Sequence, residues 1–169
     1  MTFAIVAGKE ELMFEIREMK KFDWKRVMCI YQQGIDTNVA TFETACSSYE
    51  IFDTSHICNC RFIITDNDIV VGWTALSPVS NRCVYGGVAE VSIYIEENCK
   101  GKGAGTHLLT HMIEKCEEEG YWTLQAGIMQ SNLASILLHE KCNFRMVGFR
   151  EKNWERPLWA VAEYCFDGI

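Results

Sequence analysis

A glycine-rich loop near the middle of the chain places the strongest constraint on how this sequence folds and what it can bind. Glycines stand at the alternate positions 101, 103 and 105, between an apolar stretch that alternates like a strand and a helical stripe. Glycine lets the backbone adopt left-handed turns, and it lets a ligand approach the main chain. The N-terminus of the following helix offers unpaired N–H groups and a partial positive charge. With Lys100 and Lys102 beside it, the loop predicts a phosphate or pyrophosphate site.

Two familiar phosphate motifs do not fit this loop. A P-loop needs a lysine directly before its serine or threonine, whereas Gly105 is followed at once by Thr106. The dinucleotide fingerprint needs a third glycine where this chain has Thr106, and it normally opens its unit from the first strand. The residues fit instead the pattern Arg/Gln-x-x-Gly-x-Gly/Ala, with Lys100, Gly103 and Gly105 on its defined positions. A plain glycine-rich turn is the alternative at this point.

Composition favours a small anionic ligand over a polymer. A length of 169 residues suits one domain with a sizeable core. The net charge of −7 argues against nucleic acid, because binding to a phosphate backbone needs a broad basic surface. No apolar run has the length of a membrane span, and the first residues lack the pattern of a secretory leader. We therefore expect a cytoplasmic protein with no membrane partner, no metal site and nine reduced, structural cysteines.

Hydrophobic periodicity predicts one mixed α/β sheet. Alternating or continuous apolar runs predict strands over residues 14–19, 61–65, 69–76, 89–95, 122–128, 144–149 and 158–166. Helical stripes predict a helix capped by Asp23, a second after the glycine loop that ends at Gly120, and a third over 132–141. The order is strand, helix, three strands, helix, strand, helix and two strands. This order is typical of a single α/β domain.

Motifs outside the loop resemble one branch of a known family. They are Tyr-Gln-Gln-Gly-Ile-Asp-Thr-Asn-Val-Ala-Thr-Phe-Glu at 31–43, Val-Gly-Trp at 71–73, Ser-Pro at 77–78, Arg-x-x-Tyr at 82–85, Glu-Val-Ser-Ile-Tyr-Ile at 90–95 and Ser-Asn-x-x-Ser-x-x-Leu-His-Glu-Lys at 131–141. Together with the loop, which resembles an acyl-CoA pyrophosphate signature, they resemble the phosphinothricin and methionine sulfone (sulfoximine) N-acetyltransferases of the GNAT superfamily. The resemblance covers nearly all of the chain from about residue 14 onward.

The resemblance implies a fold, a reaction and a coenzyme. It implies a single GNAT domain over residues 13–169, with a mixed, mostly antiparallel central sheet flanked by helices, after an N-terminal extension of residues 1–12. It implies that the protein transfers acetyl from acetyl-CoA to the primary amine of a small amino acid or analogue, by direct attack in a ternary complex. Relatives are commonly dimers, so a homodimer is expected. The residues that would hold the coenzyme are Ile93, Tyr94, Ile95, Lys100, Gly101, Lys102, Gly103, Ala104, Gly105, Thr106, Asn132 and Ser135.

Glu90 and His139 are the predicted catalytic residues. A primary amine must be neutral to attack a thioester, and a carboxylate base assists this step. Glu90 points away from the apolar layer of its strand and, by resemblance, acts as this base through water. His139 lies on one helix face with Asn132 and Ser135, and the resemblance makes it an acid or relay toward the CoA sulfur. The alternatives are a structural or solvated carboxylate for Glu90 and a solvated polar face for the helix.

The acceptor site is the part of the chain that departs from the family pattern. By resemblance, Phe42, Glu43, Arg82 and Tyr85 shape the pocket for the amine. After Tyr85 the family often has Arg-His, where this chain has glycines at 86 and 87. Loss of an arginine there removes a bidentate anchor for a carboxylate or phosphinate. Two other functions stay open, namely acetylation of a protein or peptide amine and non-catalytic sensing of acyl-CoA.

Overall fold

The fold is one continuous eight-stranded sheet with helices on both faces. The computed structural model describes residues 2–7, 10–150 and 161–168. The strands are β1 (Thr2–Ala7), β2 (Glu10–Glu18), β3 (Arg61–Asp66), β4 (Ile69–Pro78), β5 (Val88–Ile95), β6 (Thr123–Met129), β7 (Arg145–Arg150) and β8 (Val161–Asp167). The helices are α1 (Trp24–Asp36), α2 (Tyr49–Ser55), α3 (Ala104–Glu118) and α4 (Leu133–Lys141).

The sheet is mixed and mostly antiparallel, which confirms the predicted fold class. Its strand order is β1-β2-β3-β4-β5-β6-β8-β7. Each described neighbouring pair is antiparallel except β5 and β6, which run parallel. The turn between β3 and β4 has two residues, Asn67 and Asp68, both with positive φ. Asparagine and aspartate tolerate this left-handed conformation, and a two-residue turn of this kind matches the twist of a hairpin.

Alternate residues of the central strands build two separate apolar layers. On one face, Leu108, Leu109 and Met112 of α3 pack against strand residues that include Val91 and Leu124. On the other face, a second cluster joins α1 and α2 to the sheet through Val27, Ile30, Phe52, Ile63 and Trp73. Successive strand residues point to opposite faces, so one strand supplies both layers. We call these the α3 face and the α1 face.

Several elements differ from those predicted. Strand β1 was missed, and it pairs with β2, so the sheet extends into the predicted N-terminal extension. Helix α2 was also missed, and Ser48 caps it by accepting a hydrogen bond from Ile51 N–H at 3.4 Å. The first three residues of the predicted strand at 158–166 lie outside the described residues.

Asp23 does not cap α1 with its side chain as predicted. Its carboxylate accepts hydrogen bonds from the Arg17 guanidinium at 2.8 Å and from Lys20 N–H at 2.8 Å. Burial alone would raise the pKa of Asp23, but these donors outweigh it, so the pKa lies below its ordinary value. The ion pair links the end of β2 to the start of α1, and a local capping rule could not foresee a partner on another strand.

The nine cysteines are free thiols. Cys60, Cys99, Cys116 and Cys142 are buried, as small apolar residues commonly are. Cys29, by contrast, lies exposed on α1 and is not part of an apolar layer. The described helices include none that is long and apolar enough to cross a membrane.

Candidate active site

A cleft opens where the two parallel strands separate. β5 and β6 pair only over Val88–Glu90 and Thr123–Gln125. Beyond these residues β5 stays paired with β4 and β6 with β8, which leaves a wedge-shaped gap in the sheet. The cleft has a volume of about 890 Å³, and its lining comes from both faces of the sheet. The main-chain N–H and C=O groups of a strand point alternately toward its two neighbouring strands. Beyond Glu90, β5 has β4 on one edge and no partner on the other, so the groups on its open edge face the cleft.

The glycine loop forms an anion cradle at one wall of the cleft. Gly101 and Gly103 have φ of 73° and 92°, in the left-handed region that glycine adopts without strain. Gly103 is the N-cap of α3 and gives no side-chain cap, so the first amides of the helix stay available to a ligand. Gly103, Gly105 and Thr106 all line the cleft. A helix N-terminus without a capping side chain is a ready site for phosphate.

Two contacts from α1 hold this loop in place. Arg26 forms an ion pair with Glu96 at the end of β5, and its Nε donates to the Val70 carbonyl at 2.9 Å. Gln33 Oε1 accepts a hydrogen bond from Glu97 N–H at 3.0 Å. These contacts fix the backbone where β5 turns into the cradle.

Helix α4 brings polar side chains to the same wall. Asn132 is its N-cap, and its side-chain oxygen accepts a hydrogen bond from Ser135 N–H at 3.2 Å. Asn132, Ser135 and His139 line the cleft, as their spacing along one helix face predicts. The backbone of Gly105 lies close to this helix, because a Cβ placed there would stand 3.2 Å from a Leu138 methyl group. Glycine at position 105 thus lets α3 and α4 come together beside the cradle.

His139 is the most informative side chain of this wall. It is 2% exposed, and its Nδ1 lies 2.8 Å from the Ser135 carbonyl oxygen. A carbonyl only accepts, so Nδ1 carries the proton and Nε2 has a free lone pair. Nε2 is buried and has no protein partner. Burial lowers the pKa of His139, although the hydrogen bond to Ser135 acts in the opposite direction. The lowered pKa favours the neutral imidazole near pH 7, which leaves Nε2 as an unpaired hydrogen-bond acceptor beside the cleft.

We expect His139 to keep this tautomer at neutral pH. The reason is the buried hydrogen bond from Nδ1–H to the Ser135 carbonyl oxygen. In the other tautomer Nδ1 would have a lone pair, and it would face the carbonyl oxygen as a second acceptor. Long-range proton–nitrogen NMR spectra at pH 7 should show an unprotonated Nε2, with His139→Gln used to assign the signal. The resonance should titrate at a lower pH than that of an ordinary histidine, because burial lowers the pKa of His139. An imidazolium or an Nε2–H form at pH 7 would contradict this.

Glu90 lies on the α1 face at the point where the strands separate. It shares that face with Ser92 and Tyr94, while its neighbours Ala89 and Val91 are buried in the α3 layer. Glu90 is exposed, and its Oε2 accepts a hydrogen bond from Gln125 Nε2 at 3.3 Å. Gln125 is opposite Glu90 in the register, so the two side chains bridge the last paired positions of β5 and β6. A solvated carboxylate in this place has access to water and to a molecule in the cleft.

An aromatic wall closes the cleft on the α1 face. The Tyr94 ring stacks on Trp73 at 4.9 Å and meets the Tyr31 ring edge-on at 4.8 Å. Burial raises the pKa of Tyr94, so the phenol stays protonated and donates toward the Ala40 carbonyl. The adjoining α1–α2 segment adds Phe42 and Glu43 to the lining. This end of the cleft suits an organic molecule with an apolar part and a cationic part.

The structure brings most of the predicted site residues together in this cleft. Those that line it are Phe42, Glu43, Glu90, Ile93, Tyr94, Ile95, Lys100, Gly101, Gly103, Gly105, Thr106, Asn132, Ser135 and His139. Ala104 is fully buried behind the cradle, and Lys102 is half-buried outside the lining. Arg82 and Tyr85 lie exposed in the β4–β5 loop and do not line the cleft of their own chain.

Sequence reasoning missed residues that reach the cleft from β6, β7 and β8. Gln125, Arg150 and Glu163 all line it. Their roles depend on which strands pair and in which register, and a single sequence carries no direct signal of that. His56 also lines the cleft, where it is half-buried and stacks on Phe52. Burial lowers the pKa of His56.

A splayed mixed sheet, an anion cradle at a helix N-terminus and a carboxylate at the gap define the chain as an acetyltransferase. Residues 24–144 match the family model described as "Acetyltransferase (GNAT) family". The chain belongs to this family.

Named relatives and solved structures agree with this assignment. YwnH of Bacillus subtilis, a protein named for phosphinothricin acetylation, is 32% identical over 127 residues, which cover 72% of this chain and 78% of the relative. Phosphinothricin N-acetyltransferase of Alcaligenes faecalis is 27% identical over 165 residues, with 85% and 82% of the two chains covered. The crystal structure of an N-acetyltransferase from Staphylococcus aureus superposes with a TM-score of 0.80 and 28% identity, covering 91% of this chain and 98% of the other.

Proposed function

We propose that the protein transfers acetyl from acetyl-CoA to the primary amine of a small amino acid or amino-acid analogue, in a ternary complex. The observation that carries this proposal is the cleft at the gap between β5 and β6, with a lining from both faces of the sheet. The anion cradle lies on one side of it, and the exposed Glu90 lies on the other. A thioester entering from the cradle would meet an amine at the gap between β5 and β6. Direct transfer needs this arrangement, because both reactants must be held within contact distance.

The cradle residues fit the pyrophosphate of coenzyme A. Positive φ at Gly101 and Gly103 and the uncapped N-terminus of α3 give backbone donors with no side chain in the way. Lys100 and Lys141 line the cleft and add positive charge to this end. The open edge of β5, from Val91 to Ile95, provides strand-like hydrogen bonds for the amide groups of the pantetheine arm. One of its N–H groups would polarise the thioester carbonyl.

Glu90 acts as the general base of the proposed reaction. An α-amino group titrates near pH ~8, so most acceptor molecules are protonated at neutral pH. Glu90 accepts the proton through a bound water, since its carboxylate is exposed and held by Gln125 beside the gap. The neutral amine then attacks the thioester carbon, and the amide bond forms as the carbon–sulfur bond breaks. The nitrogen loses a second proton as the amide forms, and a proton passes through water to the departing thiolate.

His139 serves as a relay in this proposal. Its Nε2 is buried, neutral and without a protein partner, so it accepts a hydrogen bond from the coenzyme or from a water beside the sulfur. A lowered pKa leaves little imidazolium near pH 7, which disfavours the predicted role as a direct acid. Asn132 and Ser135, on the same helix face, hold the arm nearby.

The acceptor class is supported by the aromatic wall and by the relatives. Tyr31, Phe42 and Tyr94 offer apolar surface, and Glu43 offers a negative charge at the same end. The matched relatives are named for phosphinothricin, and others for methionine sulfoximine and methionine sulfone. These compounds are all amino-acid analogues with a polar group beyond the α-carbon. A cytoplasmic location is part of the proposal.

A thiol-release assay tests the proposed function. Acetyl-CoA is mixed with the protein and with methionine sulfone, methionine sulfoximine, phosphinothricin or the common amino acids, and free CoA is followed over time. The expected result is acceptor-dependent release with at least one of these free amines. Release with peptides alone would instead make it a peptide acetyltransferase. Tight CoA binding without any release would make it a sensor.

A homodimer is also proposed. β7 is the edge of the described sheet, and Met146, Val147 and Phe149 on it are exposed. An apolar edge strand is commonly covered by another chain. Light scattering should give the mass of two chains, and a mass of one chain at micromolar concentration would contradict the proposal.

A further inference from the structure

An ion pair lies on the α1 face of β7 and β8, at the end of the cleft where the amine acceptor is proposed to bind. We call this surface, with Gly127 of β6, the floor of the cleft. Arg150 and Glu163 are bonded through Nη2 and Oε1, and both line the cleft. Glu163 is opposite Gly127 of β6, and Arg150 lies two residues after Gly148, which is also opposite Glu163. Directly opposed strand residues share a face of the sheet.

This floor is on the same face as the proposed base. Gln125 is opposite Glu90, and Cys165 is opposite Gln125, so Cys165 shares the α1 face with Glu90. Glu163 is two residues before Cys165 on the same strand and therefore lies on that face as well. The alternate residues Tyr164 and Phe166 pack in the α3 layer. Gly127 has no side chain, so the floor is open between Glu90 and Glu163. The Cα atoms of Glu90 and Glu163 are two strand spacings apart across the sheet and two residues apart along it, roughly 12 Å, which leaves room for a small molecule between the side chains.

Three lysine or arginine residues line the cleft among the described residues, and Arg150 is the one on the acceptor side. Lys100 is in the cradle and pairs with Glu97, and Lys141 is at the end of α4. Both therefore serve the coenzyme wall. Arg82, the predicted acceptor arginine, does not line the cleft of its own chain. The Arg150 side chain is 60% exposed, so a ligand can reach its guanidinium.

We propose that Arg150 binds the α-carboxylate of the acceptor, which makes the acceptor a zwitterionic α-amino acid. This inference rests on the proposed function. A guanidinium has five donors in a fork that matches a carboxylate, and Glu163 occupies part of it in the free protein. The acceptor carboxylate shares or replaces Glu163 on that fork. Its amine then points along the floor toward Glu90. Arg150 would thus provide a bidentate cation that the glycines at 86 and 87 cannot provide.

A second ion pair on the same two strands provides the matched control. Arg145 pairs with Asp167 across β7 and β8, and both side chains are exposed. This pair does not line the cleft. If the Arg150–Glu163 contact only joined two strands, replacement of Arg150 and replacement of Arg145 would have the same effect.

The test compares an amino acid with the same amine lacking its carboxylate. Methionine sulfone and 3-(methylsulfonyl)propylamine are assayed with wild type, Arg150→Gln, Arg150→Lys and Arg145→Gln. For Arg150→Gln we expect kcat/KM for methionine sulfone to fall about 30- to 100-fold, mostly through KM, because a charged bidentate contact is lost. The value for the propylamine should stay within about 3-fold, and KM for acetyl-CoA should not change. Arg150→Lys should recover part of the loss, and Arg145→Gln should match wild type.

Distinct outcomes overturn this inference and the proposed function. Equal losses for both acceptors, or no loss for either, overturn the carboxylate anchor and leave the acetyltransferase activity in place. If the preference for the acceptor with a carboxylate disappears in Arg82→Gln and persists in Arg150→Gln, the carboxylate is bound by Arg82 of the β4–β5 loop and not by Arg150. If wild type acetylates other amines but prefers those without a carboxylate, the inference fails alone. If wild type acetylates no amine, both fail.

Discussion

Gly103→Val should reduce the affinity for coenzyme A by more than ~100-fold, with the largest effect of any substitution considered. Gly103 has φ of 92° at the N-cap of α3, where the first free amides of the helix face the cleft. A valine side chain would stand in the path of the pyrophosphate. It would also strain the left-handed backbone by about 1–2 kcal/mol, which could turn the amides away from the ligand. Isothermal titration calorimetry with CoA measures the loss.

Gly120→Val separates blocked binding from backbone strain. Gly120 lies just beyond the other end of α3, with φ of 85° and open space around its Cβ position. Its strain should resemble that of Gly103→Val, and thermal melts should shift by similar amounts. Gly120 is at the opposite end of α3 from the cradle, so the CoA affinity of Gly120→Val should equal that of wild type. Unchanged affinity in Gly103→Val, or equal losses in the two variants, would show that the cradle does not bind the coenzyme.

Glu90→Gln should lower kcat about 100-fold at pH 7 and leave the KM for acetyl-CoA unchanged. General bases contribute factors of ~10²–10⁴, and a base that acts through water belongs at the lower end. Glutamine keeps the size of the side chain and can still contact Gln125, so the gap between β5 and β6 should keep its shape. Initial rates of thiol release with a saturating amino-acid acceptor measure the change.

The pH dependence of this variant tests the base role directly. As pH rises above about 8, more of the acceptor amine is already neutral, and the base matters less. The deficit of Glu90→Gln should therefore narrow toward pH 9 to 10. Glu119→Gln serves as the control, since Glu119 is exposed near the end of α3 and contacts Asn59. A kcat within about 3-fold of wild type at pH 7, or a deficit independent of pH, would rule out Glu90 as the base.

The parts of the site that were predicted correctly are local in sequence. The cradle is a run of alternate glycines between a strand and a helix, and the positive φ values at 101 and 103 follow from that pattern. Asn132, Ser135 and His139 share a helix face because of their spacing, and Glu90 faces away from the α3 layer because strands alternate. Each of these statements needs only a few neighbouring residues.

The parts that were missed depend on contacts between distant segments. The placement of Glu163 beside Gly127 results from the pairing of β8 with β6, and the sequence contains no local signal for that register. Arg82 carried a family motif, yet its loop lies outside the cleft of its own chain. Asp23 has the right residue type for a helix cap, but the Arg17 guanidinium on β2 binds its carboxylate instead. In each case the position of the residue depends on segments that are distant in the sequence.

The alternation of β8 has a consequence for how such an enzyme can change its preference. Glu163 and Cys165 line the cleft, while Tyr164 and Phe166, between and beside them, pack in the main apolar layer. Replacement of a cleft-facing residue therefore leaves the packing of its neighbours intact, whereas replacement of Tyr164 would cost core stability. If the acceptor binds as proposed, selectivity for the amine and the stability of the fold depend on alternate residues of one strand. A change of acceptor could then arise from the cleft-facing residues of β8 while the apolar layer behind them keeps its packing.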